Sequence, residues 1–211
     1  MRLTVCRTKK PKPTANGLSL WRRPLQYTFQ QLKKAGKQDG AALRPYRLVV
    51  VGDCSTQHVS TALKGYAHLC GIGLDVFDAD YDQIDAQVMD DNSELYAFKP
   101  NAALLYMASE KLYTAYCKTP VPERDGFAER TMAHISALWQ KLSAAGNMSV
   151  LQFNFVRLDD AVFGSFAGKV PSSFSYQLDK LNLMMADGSR ENGGVFLVDL
   201  ADVQNQYGRN F

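Results

Sequence analysis

Short apolar runs alternating with helix-periodic segments predict an α/β fold: a three-layer, doubly wound sandwich around a parallel five-stranded sheet. Three observations carry this. Five runs (Arg47–Val51, Leu74–Phe77, Ala102–Met107, Met148–Phe153 and Val195–Val198) are too short for helices and nearly continuous in apolar character, as strands covered on both faces are. The segments between them place apolar residues three and four apart. The runs close on Gly52-Asp53, Ser109, Asn154 and Asp199, at the carboxyl ends where such sheets collect ligands. With 211 residues, 46% of them hydrophobic, the chain is long enough for one domain with a full core.

Residues 1–24, with the run Lys9-Lys10-Pro11-Lys12-Pro13 and no apolar period, read as a basic, disordered arm; residues 25–211 read as the domain. Leu25, Phe29 and Leu32 set a first helix to Lys37, punctuated by Gly36 and Gly40. Val59, Ala62, Leu63, Tyr66 and Leu69 stripe a helix after the first strand, stopped by Gly71 and Gly73. The second strand runs into the acidic loop Asp78–Asp82, and a helix follows near Gln83–Met89. The third strand is followed by a short helix and the surface connection Thr119–Pro122. Met132, Ile135, Leu138, Trp139 and Leu142 give the clearest helix, closed by Gly146-Asn147. Phe174, Leu178, Leu181 and Met185 stripe the next, with Asp187-Gly188 and Gly193-Gly194 bracketing the turn into the fifth strand. No internal repeat is present. In the strand order 2-1-3-4-5 the crevice lies between strands one and three.

The net charge of +3 hides an asymmetry: residues 1–44 carry +10 and the remainder −7. The arm reads either as a phosphate- or partner-seeking segment or as a solvated tail against its own acidic body. Only Trp21 and Tyr27 accompany its basic residues, so nucleic acid is not the expected partner. No apolar run reaches membrane-spanning length, and the N-terminus lacks a signal's apolar core. Cys6, Cys54, Cys70 and Cys117 are scattered without a C-x-x-C pair, as in a cytoplasmic protein with reduced thiols.

The chemistry concentrates at Gly52-Asp53-Cys54-Ser55-Thr56-Gln57. A helix beginning near Thr56 presents unpaired N–H groups and a positive dipole end, which would favour an anion and depress the Cys54 pKa. Strand tips in the expected order gather Asp53, Cys54, Ser55 and Thr56 with Ser109, Glu110, Asn154 and Asp199 around one hollow. Each has a plainer alternative. Cys54 is a nucleophile or a small residue packing a tight turn. Ser55 and Thr56 contact ligand or cap the helix. Asp53 binds loop amides, and Asn154 binds a ligand or ties its own loop. His58, four residues after Cys54, reaches back to the thiol or stands exposed. His68 and Cys70 lack further ligands for a metal. Asp78, Asp80, Asp82 and Asp85 hold Mg²⁺ or Ca²⁺ or form a solvated loop, the latter favoured because the EF-hand glycine is missing. Gly164–Lys169 imitates a phosphate loop but is one residue short.

Gly52-Asp53-Cys54-Ser55-Thr56 resembles the first block of SGNH/GDSL-type hydrolases, Gly-Asp-Ser-x-Thr. Over about residues 25–211 the chain resembles the N-terminal region of FkbH-like proteins, which belong to the haloacid-dehalogenase type. The resemblance rests on Gly52–Gln57, Ala79–Ile84, Ser93–Pro100, Gln152-Phe153-Asn154-Phe155 and Val198-Asp199-Leu200. It implies a flavodoxin/SGNH-type fold and a role in loading a glyceryl or other acyl unit from a phosphorylated precursor onto a carrier protein, in secondary-metabolite or glycan assembly. It further implies an acyl carrier protein or a small acyl or phosphoacyl substrate as partner. It implies no cofactor for this part of the chain, Mg²⁺ belonging to a second domain whose Asp-x-Asp-x-Thr motif is not found here. Cys54 falls on the hydrolases' nucleophile position, with Ser55 beside it. The oxyanion Gly and Asn blocks are replaced by Asp78-Ala79-Asp80 and Ala108-Ser109-Glu110, and no Asp-x-x-His pair occurs up to Phe211. A carrier-docking module without catalysis and a degenerate esterase or acyltransferase are the alternatives.

Overall fold

The computed structural model describes residues 27–39, 42–146 and 148–208. The expected basic arm, residues 1–24, lies outside them. Five strands, β1 (Arg44–Gly52), β2 (Ile72–Asp78), β3 (Ala102–Tyr106), β4 (Ser149–Phe153) and β5 (Val195–Val198), form one parallel sheet in the order β2-β1-β3-β4-β5. The architecture is thus the three-layer, flavodoxin-like α/β arrangement, with the order reversing between β1 and β3.

β1 anchors the sheet because it is buried on both faces. Val49, Val50 and Val51 are fully inaccessible, and burying each such branched side chain contributes about 1.5–3 kcal/mol. Alternation along β1 divides the core. Val49 and Val51, with Ala103, Leu105 and Val150, face a large cluster beneath α3 (Ile84–Met89), α5 (Ser109–Lys118), α6 (Phe127–Ala144) and α7 (Phe174–Glu191). Leu48 and Val50, with Ala102 and Leu104, face Val59 and Leu63 of α2 (Gln57–Leu69). On that second face the β4–β5 half is thinly covered: Leu151 and Phe153 are half-buried, and their register partners Phe196 and Val198 are exposed.

Several elements differ from the periodicity reading. The first helix, α1, is described over Phe29–Ala35, with Thr28 and Gln31 forming a capping box. On α2 the stripe is only half-buried at Val59, Ala62 and Leu63, and Tyr66 and Leu69 are exposed. A one-turn helix, α4 (Glu94–Ala97), occupies the Ser93–Pro100 block. The surface connection becomes a 3-10 turn over Val121–Gly126, and Gly164–Lys169 is another such turn. α7 does not stop at Asp187-Gly188. It continues to Glu191 because Gly188 lies where α7 meets α6: a Cβ there would stand 3.0 Å from the Met132 methyl and 3.3 Å from the Trp139 ring. A final helix, α8 (Leu200–Tyr207), follows β5.

α1 crosses α2 at Gly65. A Cβ on Gly65 would collide with the backbone of Leu32, whose side chain, with Ala35, is buried. Gly65→Ala is therefore expected to release α1 at about 1–3 kcal/mol, the usual penalty of overpacking. Thermal denaturation and amide exchange check it, with the protection loss confined to α1 and α2; an unchanged Tm would contradict the close crossing.

Candidate functional site

The loop leaving β1 is sewn to both neighbouring strands. On the β3 side the Asp53 N–H donates to the Tyr106 carbonyl (3.2 Å), and Asp53 Oδ1 accepts from the Ala108 N–H (2.7 Å). On the β2 side the Asp82 N–H donates to the Gly52 carbonyl (3.1 Å), and Thr56 Oγ1 donates to Asp78 Oδ1 (2.5 Å). Gly52 has no room for a side chain: a Cβ would stand 2.7 Å from the Thr56 methyl. The Gly-Asp pair thus sets the loop's path, and Asp53 holds an amide at the entry to α5. Burial pushes the Asp53 carboxyl above its ordinary value, with the Ala108 N–H and Lys111 working against that shift.

The remaining strand-tip residues go to different tasks. Thr56 stands at the N-cap position of α2 but is 2% exposed and caps nothing, its hydroxyl being engaged by Asp78. Ser55 Oγ donates to Gln57 Oε1 (2.6 Å) and does not cap either. Ser109 opens α5 and is buried, while Glu110 beside it is exposed. Asn154 and Asp199 bond to each other, Asn154 Nδ2 donating to Asp199 Oδ1 (2.7 Å). Together they serve the start of α8: Asn154 Oδ1 accepts from the Ala201 N–H and Asp199 Oδ1 from the Asp202 N–H.

Cys54 is half-buried. The expected depression of its pKa is reversed: burial first, then the carboxylates of Asp53 and Glu110, push the thiol up to about 11 against the opposing pull of Lys111. The His58 ring lies against Phe29 of α1, centroids 5.3 Å apart. The acidic loop is spent on separate contacts, Asp78 on Thr56, Asp82 on Lys111 (2.9 Å) and Asp85 on His134 (3.3 Å). No three His, Cys, Asp or Glu side chains converge as a metal-ligand set among the described residues.

The single hollow expected at the strand tips resolves into two, and Cys54 lines neither. One, of about 340 Å³, lies between the β1 and β3 tips, α5 and α6. It has Asp53 at one side, apolar walls from Leu112, Phe127 and Phe155, and the basic side chains Lys111, Arg130 and His134. The other, of about 520 Å³, lies between Tyr106, Glu110, the Val156–Asp159 segment and α8. Of the residues singled out from the sequence, Asp53 reaches the first and Glu110 the second. Lys111, Arg130 and His134 were missed, although Arg130 and His134 are four apart on one helix and so share a face.

The fold defines a flavodoxin-like α/β domain, and one of the two strand-tip hollows lies beside the topological switch between β1 and β3. The chain belongs to the FkbH N-terminal domain family, whose pattern matches residues 47–211. Among solved structures it is similar to the N-terminal part of the protein BF1531 from Bacteroides fragilis, described as containing a phosphatase domain complexed with Mg. Identity is 32% and the TM-score 0.82, over 88% of this chain and 48% of that one. This chain therefore spans about half the length of that relative. A putative acylhydrolase from the same species, BF3764, also matches, at 13% identity and a TM-score of 0.47 over 85% of this chain and 81% of that one. Nothing matches among curated proteins. Among the described residues no helix is long and apolar enough to cross a membrane.

The raised Cys54 pKa has a direct consequence for reactivity, because the thiolate is the nucleophile. At pH 8 its iodoacetamide alkylation, followed by peptide mass spectrometry, is expected to be slower than that of an ordinary thiol by up to about a hundredfold, two pKa units in thiolate fraction. The rate is expected to keep rising past pH 10. A plateau below pH 9 would show an activated cysteine instead.

Proposed function

We propose that this domain supports the loading of a glyceryl or related acyl unit from a phosphorylated precursor onto a carrier protein, as a positioning domain and not as the acyl-accepting catalyst. Membership of the FkbH N-terminal family supports the pathway step. The division of labour rests on one feature: burial and two carboxylates push the thiol of Cys54, the side chain in the nucleophile position, up to about 11, and the His58 ring lies against Phe29. An acyl thioester at Cys54 would require deprotonating that thiol against burial and the Asp53 and Glu110 carboxylates, which outweigh the pull of Lys111. In this reading phosphoryl chemistry belongs to another domain, of the kind named for the Bacteroides relative. The strand-tip hollow between Tyr106, Glu110, the Val156–Asp159 segment and α8 holds the acyl unit or the carrier's thiol-bearing arm.

A loading assay tests this with a longer FkbH-type protein containing the domain, the phosphorylated precursor and a phosphopantetheinylated carrier protein. Cys54→Ala is expected to change carrier acylation by less than about threefold, far below the loss of a covalent nucleophile. Intact-mass analysis is expected to find no acyl adduct on Cys54. An acyl-Cys54 thioester that the carrier discharges, or loss of acylation in the alanine variant with the fold intact, would overturn the reading.

A further inference from the structure

We propose that the cleft between α5 and α6 binds a small organic anion with an apolar body, its carboxylate or phosphate held by Arg130. Cys54 does not line the cleft, and the inference does not depend on the loading role.

The charges lining the cleft differ in how far they are already compensated. Lys111 pairs with Asp82 and lies over the Tyr81 ring. His134 pairs with Asp85. Arg130 forms no ion pair among the described residues; it donates one Nη2 bond to the neutral Glu123 carbonyl (2.8 Å). A guanidinium carries five N–H donors in a planar fork, so most of this one remains for a ligand, in the geometry that suits a carboxylate or phosphate. The guanidinium also rests on Gly126, where a Cβ would stand 3.0 Å from Nη1. The loop glycine that ends the 3-10 turn thus leaves space for it.

The rest of the lining sets the body of the ligand. Met107, Leu112, Ala115, Phe127 and Phe155 offer aliphatic and aromatic walls, so a polyhydroxylated molecule would lose hydration without regaining hydrogen bonds. Asp53 is the one carboxylate in the lining. It repels the ligand's charge from the strand-tip side and so directs the anion toward Arg130. The volume, about 340 Å³, stands at the low end of small-molecule sites. A branched chain of about four or five carbons bearing one anionic group answers all three features.

The test is an ¹⁵N–¹H titration of the 211-residue chain with 3-methylbutanoate, isobutyl phosphate, inorganic phosphate and 3-methylbutanol. Saturable shifts of the Ala108, Leu112 and Thr131 amides are expected with one or both of the first two, and the tighter of them names the head group. Inorganic phosphate and the alcohol are expected to bind at least about tenfold more weakly, each lacking half of the recognition. Arg130→Gln, at an exposed position, is expected to cost a similar factor. Ala115→Trp, which fills the cleft from the surface of α5, is expected to abolish the shifts while the sheet resonances stay in place. Equal binding of alcohol and anion, equal binding of inorganic phosphate, indifference to Arg130→Gln, or no saturable shift with either anion at millimolar concentration would each overturn the proposal. Binding that Arg130→Gln removes, in a protein whose carrier loading that substitution leaves intact, would keep the site and separate it from the loading role.

Discussion

The bond from the Ala108 N–H to the Asp53 carboxylate is the interaction on which the strand-tip region depends. β1 and β3 run side by side, and their chains leave the sheet at the same end. Ala108 stands at the N-cap of α5, and its methyl cannot satisfy an amide. Asp53 supplies the acceptor from the next strand, so one carboxylate both fixes the β1 exit and holds the entry to α5. The location of Lys111 and Leu112, two and three residues into that helix, follows from it, and with them one wall of the basic cleft. Ionising Asp53 in a partly buried place costs solvation, which the amide and the nearby Lys111 offset in part.

The same device recurs at two other helix starts. α6 begins after Gly126, which has no capping side chain, and Gln177 of α7 reaches across to accept from the Ala128 N–H (2.7 Å) while donating to the Asp125 and Pro171 carbonyls. α8 is served by Asn154 from the end of β4 together with its own Asp199. A polar side chain that satisfies a helix terminus 45 or more residues away leaves no local signature, unlike the Thr28–Gln31 capping box, which is readable from spacing alone. This is why the tie from Asn154 to α8 could not be read from spacing, whereas Asp199 is a local N-cap, three residues before Asp202, on a helix the sequence reading did not include. Both belong to the strand ends, and each makes one hydrogen bond to the backbone of α8 and one to the other.

Legibility follows the range of the interaction. Hydrophobic periodicity is local, and it placed five strands and the buried stripe of α6, because each apolar residue's neighbours recur at fixed spacing; the strand order came from the fold class. It failed where a partner overrides a local signal. Gly188 marks a turn on propensity, yet the packing of α6 against α7 keeps it helical. Cys54 next to a helix start suggests an activated thiol, yet the dipole end is worth only about 0.3–1 kcal/mol in such settings and fades within a turn. Burial and the two carboxylates outweigh it. Arg130 and His134 escaped notice because what joins them to Asp53 is the packing of α6 beside α5, which no spacing encodes.

The two faces of the sheet also divide the work unequally, and this decides where ligand space can exist. On the α2 face the helix sits close over β1 and β2, and Thr56 is driven into contact with Asp78, so the start of α2 closes tightly. On the opposite face α5 leaves directly from the β3 tip, whereas α6 is reached only after a proline-bearing 3-10 turn. The turn carries Glu123, whose carbonyl holds Arg130, and Gly126, which makes room for it. A gap at the head of two neighbouring helices therefore remains, walled by Leu112 and Phe127 and edged by a guanidinium. The helix start beside Cys54 is filled by packing, and the open volume lies instead between α5 and α6.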